Sequence, residues 1–530
     1  MDSSSQSPPP KTTTKLSIIS IPPEILHRIL EFLDYRSLLR CEQVCQKFHG
    51  VVKKTSALQY RLQLAASGEH DGPNSSLSAA ERLNTLRKYN DTWRKMEWTN
   101  STSERISAGG LYELYGNILA QNLDRHRITF KQLPSEIRRI EERNWVLNFD
   151  FHIRDFGIDP AQDALFIFQT HDLDGICRIH IRTLSTGEPH PLAERISGIL
   201  EYPIASPDLS FTIQPHRDYI GVIFEPTENE VENLFIIWNW KTGSYFQRLA
   251  GMDVASFSFL DEDHVMVASL SGRLETYSKP SLLVYNFKEV PSEEMDLGDE
   301  PYVCAFSMPE MDEEAVSAYM LIRSDPAPSW SPSLDLHVPF YISHLQRLFV
   351  VSLVLIVGHR IEAFDFFIPS HSLLPHVEEA KIAAVPRDVC WEDWGLHGSH
   401  MTQVSPRRPI WVCYVFGMRY ATLAFDETLR PKIKILDFHP ERLASGLMTA
   451  SSNPSDNWSV VSDTEKVPGQ WISGPVTTTL PYLSKIVEIP PEVNLDSQVC
   501  TMLSEDAVIV METVRIRSFL DDQRLTLSSA

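Results

Sequence analysis

Residues 17–52 read SIISIPPEILHRILEFLDYRSLLRCEQVCQKFHGVV. On a helical wheel of about 100° per residue, Ile25, Leu26, Ile29, Leu30, Phe32 and Leu33 fall within an arc of roughly 160°. Glu24, His27, Arg28 and Glu31 fill the other side. An ordinary surface helix needs an apolar stripe of about 100° for its own core, so this one has apolar surface to spare. Pro22 and Pro23 suit a helix start, where a missing N–H costs nothing. Asp34-Tyr35-Arg36-Ser37 reads as a break, with Ser37 a candidate N-cap. After it, Leu38, Cys41, Val44, Cys45, Phe48 and Val52 recur at helical spacing, giving a further amphipathic helix or a helix pair. Short helices amounting to about 40 residues bury too little to stand alone. The surplus face must meet either the rest of the chain or another protein.

The remainder has a different texture. The chain has 530 residues, 43% hydrophobic and 10% aromatic, enough for a packed core. Beyond about residue 105, short runs rich in Val, Ile, Phe and Tyr alternate with turn residues, the pattern of strands. DFGIDPAQDALFIF (155–168), SFLDEDHVMVAS (258–269) and TMLSEDAVIVME (501–512) share one shape: an apolar residue, an acidic turn, then β-formers. RIHIRTLSTGEPHPL (178–192) and LFIIWNWKTGSYFQRL (234–249) share another, strand, Thr-Gly turn, strand. SLLVYNFKEV (281–290) reads as a third copy without the glycine. Such a recurring module of about 45–60 residues is how a four-stranded propeller blade reads.

The expected fold is therefore mixed but mainly β: a small all-α N-terminal module followed by a degenerate β-propeller of about seven blades. A stacked pair of β-sandwiches is the competing architecture. The boundaries are a disordered tail at 1–15, the helical module at 16–60, a helical linker at 61–104 with a flexible loop at 67–80, and the β-domain at 105–530. Ala79–Asp91 reads as one more helix. Glu310–Pro339 and Ala450–Pro475 fit a blade badly and read as insertions on a propeller rim.

Two resemblances rest on these residues. Ile21-Pro22-x-Glu24-Ile25, Ile29-Leu30-x-x-Leu33-Asp34, Ser37-Leu38 and Val44-Cys45-x-x-Phe48 resemble the F-box motif. Ile21 stands for the usual leucine and Phe48 where the family often has tryptophan. The resemblance implies docking on the Skp adaptor and, through it, on a cullin-based ubiquitin ligase. The docking residues it implies are Ile21, Pro22, Ile25, Leu26, Ile29, Leu30, Leu33, Leu38, Val44, Cys45 and Phe48, some of which must instead form the module's core. Trp238-Asn239-Trp240-Lys241-Thr242-Gly243 resembles the Trp-Asp-x-x-Thr-Gly segment of WD-type blades, with Asn for Asp. YNDTWRKMEW (89–98), LYELYGNILAQ (111–121) and PSEIRRIEERNWVL (134–147) after an F-box look like a large group of fungal F-box proteins.

Charge and motifs narrow the function. The net charge is −22. This disfavours nonspecific binding to nucleic acid or anionic membrane, so neither is expected as a partner. Seven cysteines without a CxxC indicate neither a disulfide framework nor a zinc ribbon, and Cys41 and Cys45 read as small buried hydrophobes rather than ligands. MDSSSQSPPPKTTTK lacks a signal-peptide core, and LFVVSLVLIV (348–357) is about half a membrane span. Cytoplasm or nucleus is expected, with no metal and no cofactor.

No GxSxG, GxxxxGK[ST], HExxH or GxGxxG occurs. His397, Ser399 and His400 read as a loop, and His171, Asp172 and Asp174 as a solvated acidic turn. Arg273, Arg360 and Arg419 each follow a glycine closely near a predicted strand start and are weak candidates for phosphopeptide contacts. Ser7, Ser206, Ser331 and Ser405 precede prolines and permit modification. The expected role is a non-catalytic substrate receptor for an unknown protein target. An adaptor-bound scaffold and a β-domain enzyme fused to an F-box are the alternatives.

Overall fold

The computed structural model describes residue 18 and residues 21–529, apart from short stretches of which 107–110, 171–174, 271–278, 290–294, 297–300, 406–412, 450–457, 468–471, 494–497 and 515–521 are the longest. The tail expected at 1–15, Ser7, Arg273 and the His171–Asp174 cluster lie outside the described residues.

Five helices open the chain: α1 (Pro23–Leu30), α2 (Tyr35–Val44), α3 (Gln46–Lys54), α4 (Ser56–Ser67) and α5 (Ala79–Lys95). Among the described residues, seven sheets of four or five strands follow. Their innermost strands are Tyr112–Tyr115, Asp155–Asp159, Leu209–His216, Val254–Phe259, Val316–Arg323, Val415–Phe416 and Gln498–Leu503, defining blades 1 to 7. Neighbouring blades touch in this order, and Leu114 and Leu119 of blade 1 share a core with Met502 and Ile509 of blade 7, so the ring closes. Blade 7 is completed by Asn100–Ile106, which pairs antiparallel with Asp522–Ser529. Joining strands from the start and the end of the β-domain in one sheet leaves the ring without an open seam.

Alternation along each strand explains the dense apolar runs. In Tyr219–Pro226, Ile220, Val222 and Phe224 pack toward blade 2, while Ile223 packs toward blade 4. A strand buried on both faces cannot show an apolar–polar alternation. The three acidic-turn segments are the inner hairpins of blades 2, 4 and 7. In the WD-like segment, Asn239 Oδ1 accepts the N–H groups of Lys241 (3.0 Å) and Thr242 (3.1 Å), so the amide oxygen does what a carboxylate would do at this turn. Trp238 and Trp240 are fully buried.

The structure differs from the sequence reading at several points. After Thr186-Gly187 the chain makes a 3-10 turn at Pro191–Ile196 before the outer strand Ile199–Pro203, so this unit is not a simple hairpin. Glu310–Pro339 is not wholly an insertion, because Val316–Arg323 is the inner strand of blade 5 and the Pro/Ser run begins after it. The insertion expected at 450–475 lies partly outside the described residues, and its Ser459–Val461 edges blade 6. Within the loop expected at 67–80, Glu69–Asp71 pairs with Phe340–Ile342. The helix expected at 79–91 runs to Lys95, opened by a capping box in which Ser78 and Glu81 exchange hydrogen bonds.

The helices cover one end of the ring. In every blade the turn between the first and second strands lies at that end, and the turn between the second and third at the other. Tyr89 of α5 donates to the Glu505 carbonyl (2.6 Å) in the first turn of blade 7, and Trp93 lies against the Arg419 guanidinium at 4.2 Å. Tyr60 of α4 donates to the Pro339 carbonyl (2.7 Å). Gly68, in left-handed backbone at φ +69°, ends α4 where a Cβ would sit 2.2 Å from His439 Nε2, so only glycine fits.

Candidate functional site

The apolar arc of α1 divides in two. Leu26 and Leu30 are buried and join Leu38, Phe48, Val51, Val52 and Leu58 in the module's own core. Ile21, Leu33, Cys41 and Cys45 pack partly against that core. On the other part of the arc, Ile25 is 54% exposed, Ile29 42% and Phe32 89%. With about 100° per residue, the exposed residues span roughly −20° to 40° and the packed ones roughly 80° to 140°. The excess width noted in the sequence is thus a free stripe. Leu39 and Val44 of α2 are also exposed, at 42% and 67%.

The polar groups of the module hold this stripe in place. Asp34 caps α2, accepting the N–H groups of Arg36 (2.9 Å) and Ser37 (3.0 Å) and the Ser37 hydroxyl (2.6 Å). The cap is therefore Asp34 rather than Ser37, because its carboxylate takes three donors at once. The Ser37 hydroxyl and N–H together hold the Asp34 carboxyl below its usual range. Arg61 of α4 reaches back to the carbonyls of Glu31 and Leu33, satisfying orphan groups at the end of α1.

The eleven sequence candidates therefore fall into distinct environments. Leu26, Leu30, Leu38 and Phe48 are core; Ile21, Leu33 and Cys45 are half-buried; Pro22, Ile25, Ile29 and Val44 are exposed. Phe32 and Leu39 were absent from that set. Phe32 was legible on the wheel, but no spacing distinguishes an arc residue that packs inward from one that does not.

The arginine candidates do not converge. Arg419 opens the second strand of blade 6, at the helix-covered end; it is 6% exposed, paired with Asp437 (3.4 Å) and stacked on Trp93. It has no surface to offer a phosphate, which corrects the sequence reading. Arg360 opens the third strand of blade 5, at the opposite end of the ring, and is exposed.

Nor do His397, Ser399 and His400 form a nucleophilic set. The Ser399 hydroxyl donates to the Gly395 carbonyl (2.6 Å), His397 Nδ1 meets Thr479 Oγ1 (2.8 Å), and His400 is packed on Tyr482 and Phe438. They lie where a helix, Trp391–Gly398, passes into the strand His400–Val404, not in a loop. Among the described residues no group of three or more His, Cys, Asp or Glu could hold a metal ion, and no helix is long and apolar enough to cross a membrane.

A second cluster lies at the junction between helices and ring. Arg138 is buried, with Nη1 2.6 Å from Asp506 and 2.8 Å from Glu505. Asp506 also accepts from Ser135 (3.0 Å) and Asn117. Glu69 is 5% exposed and neither of its carboxyl oxygens has a hydrogen-bond partner. Burial, with Glu505 nearby, raises its pKa despite Arg138, Arg419 and Arg442.

Comparison with known proteins adds the following. Residues 18–64 match the F-box-like family. No curated protein matches the chain. Among solved structures, a crystal structure of an ACO/RPE65 chimera aligns at 8% identity and TM-score 0.27, covering 50% of this chain and 59% of that one. A mutant of Synechocystis apocarotenoid oxygenase (8% identity, TM-score 0.24) and its cobalt-substituted form (9%, 0.24) each cover 47% of this chain and 59% of theirs. The chain thus spans about 59% of the length of these structures, and a likeness this weak says nothing about chemistry. The helical module and the ring of sheets behind it carry the assignment: residues 18–64 form an F-box-like domain that leads into a β-propeller.

Proposed function

We propose that this chain is the substrate-recognition subunit of a Skp-cullin-F-box ubiquitin ligase, acting in the cytoplasm or nucleus. The observation that carries the proposal is the stripe of Ile25, Ile29 and Phe32, left exposed although the module is docked on the propeller. The contacts to the ring run chiefly through α4 and α5, at Tyr60, Tyr89 and Trp93, with Tyr35 of α2 reaching Glu441 (3.4 Å). If the helices served only to cap the ring, nothing would keep three large apolar side chains of α1 in water. The stripe supplies the apolar face that an adaptor covers, with Leu39 and Val44 as further contacts.

The propeller in this reading holds a protein target, and the cullin brings a ubiquitin-charged enzyme to it. Tethering raises the effective concentration of target lysine near the thioester, so the chain needs no nucleophile and acts without catalysis. The test is affinity purification of the intact chain, with immunoblots for the Skp adaptor and cullin. Recovery of both is expected, as is their joint loss from a folded Ile25→Asp/Ile29→Asp variant. Adaptor without cullin would replace the ligase reading with that of a scaffold, and recovery of neither would refute adaptor docking.

A further inference from the structure

A cavity of about 360 Å³ occupies the axis of the ring, within the range of about 300–1,000 Å³ common to ligand pockets. Its walls come from the inner strands of blades 1, 2, 3, 5 and 6. Toward the helices it is partitioned. Tyr115, Pro215, Ala327 and Pro328 line both this cavity and a second one of about 490 Å³, so they form the wall between the two. That wall is braced. The Tyr115 hydroxyl accepts the Ala327 N–H (3.0 Å) and its ring meets Trp330 edge-on at 5.1 Å. At Gly116, where φ is +55°, a Cβ would come within 2.4 Å of the Trp330 ring. The Pro/Ser run that fitted no blade is therefore a plug. Asp155 and Ser210 stand at the starts of their strands, so the cavity faces the end of the ring away from the helices.

The lining carries three carboxylates against two guanidiniums. Glu113, Asp155 and Asp325 line it, together with Arg323 and Arg347, and Arg347 is directed at the Phe259 carbonyl (2.7 Å). Burial pushes the carboxyls up, to about 8 for Glu113, about 7 for Asp155 and about 6 for Asp325. Independently, Ser324 lines the same cavity, is 7% exposed, and its hydroxyl has no hydrogen-bond partner. A buried polar group without a partner calls for one, and at Ser324 the cavity leaves room for it. Tyr112 and Tyr414 add aromatic faces, which attract cations.

We infer that this pit receives one basic side chain, a lysine or an arginine, from the protein target; the inference rests on the receptor reading above. An ammonium or guanidinium supplies a charge opposite to the carboxylates of Glu113, Asp155 and Asp325 and a partner for the Ser324 hydroxyl. The net charge of −22 favours a basic segment on approach.

The experiment uses the full chain and a fluorescein-labelled positional-scanning hexapeptide library. Agmatine and spermidine serve as free cations, and capture of the Skp adaptor is followed in parallel. Peptides with Lys or Arg at one position are expected to be retained, and Glu113→Gln/Asp155→Asn is expected to weaken them at least tenfold with adaptor capture unchanged. A preference for acidic or phosphorylated peptides, no preference, or one that survives the substitutions would overturn the inference. Retention of the free amines with no peptide retained at all would also overturn it, assigning the pit to a small metabolite. Should the double variant fail to fold, displacement of a retained basic peptide by agmatine from the wild-type chain decides: displacement supports the inference and its absence overturns it. Adaptor capture without a basic preference sinks this inference alone, whereas a basic preference without adaptor capture sinks the ligase reading alone.

Discussion

Replacing Ile25, Ile29 and Phe32 together by alanine tests whether the stripe on α1 is a docking face. Fully burying a side chain of this kind is worth about 1.5–3 kcal/mol. Ile25 and Ile29 are already about half covered, at 54% and 42% exposure, while Phe32 at 89% has nearly all its surface left to bury. The isoleucines therefore contribute about 1 kcal/mol each on docking and the phenylalanine about 2 kcal/mol. Alanine keeps a fraction of this, which leaves a loss of about 3 kcal/mol, or roughly a hundredfold in adaptor affinity. The fold is spared, since surface substitutions away from packed features change stability by about 0.5 kcal/mol or less. Leu30→Ala is the control: Leu30 is 1% exposed in the module core, and its truncation costs about 2–5 kcal/mol of stability. The assay is calorimetric titration of purified full-length chain with recombinant Skp adaptor, beside thermal melts. A triple variant that melts like wild type and binds within threefold of it would refute the reasoning, as would one that unfolds.

Three further outcomes follow from the buried polar groups. Arg138→Met leaves Glu505 and Asp506 facing each other without a cation, and is expected to cost about 3–5 kcal/mol in urea unfolding; an unchanged midpoint would contradict the pairing. Glu69 and Glu505 hold their protons more tightly folded than unfolded, so their contribution is fully present below the ordinary glutamate range and is lost as pH rises through the raised folded values. Denaturation midpoints should therefore fall between about pH 5 and pH 8.5, and less so in Glu69→Gln; an identical slope in the variant would remove Glu69 from the account. Asp34→Ala removes the cap of α2 and is expected to lower the unfolding midpoint in the same series, and an unchanged midpoint would contradict the capping role.

Different parts of this protein were legible to different degrees, for physical reasons. The F-box helices were readable because their arc is wider than a self-contained helix needs, and a helical wheel reports width directly. It does not report which half of the arc packs inward, and Leu26 and Ile25 become distinguishable only once α3 and α4 are in place. The inner hairpins of blades 2, 4 and 7 were readable because a tight acidic turn between two buried strands leaves little choice of residue. The Pro/Ser run after Arg323 was recognised as no strand, but its role depends on Tyr115 and Trp330, which are distant in sequence and meet only in the closed ring. Arg419 misled for a related reason: a Gly-x-Arg turn looks the same whether it faces water or the side of Trp93. Glu113 and Asp155 gave no signal, since isolated acids at strand starts are common and only closure brings them to one axis.

The geometry bears on how a target would be held. Glu69–Asp71 pairs with Phe340–Ile342 of the plug segment, α5 shares a core with blades 1, 6 and 7, and Arg138 joins Phe340 to the first turn of blade 7. The segment between the F-box helices and the ring is therefore woven into the ring rather than acting as a tether. A tether would spread the target over many distances from the adaptor, and effective concentration falls as the span grows. A rigid joint instead fixes one vector from the stripe on α1, through the plug, to the acidic pit at the far end. The same plug closes the pit and pairs with the strand leading from the helices, so a change that loosens it, such as Trp330→Ala, should act on both. Target binding would weaken through the lost wall, and ubiquitin transfer per bound target would fall because the vector is no longer fixed. A variant that lost binding but kept full transfer per bound target would show that the plug shapes the pit without setting the joint.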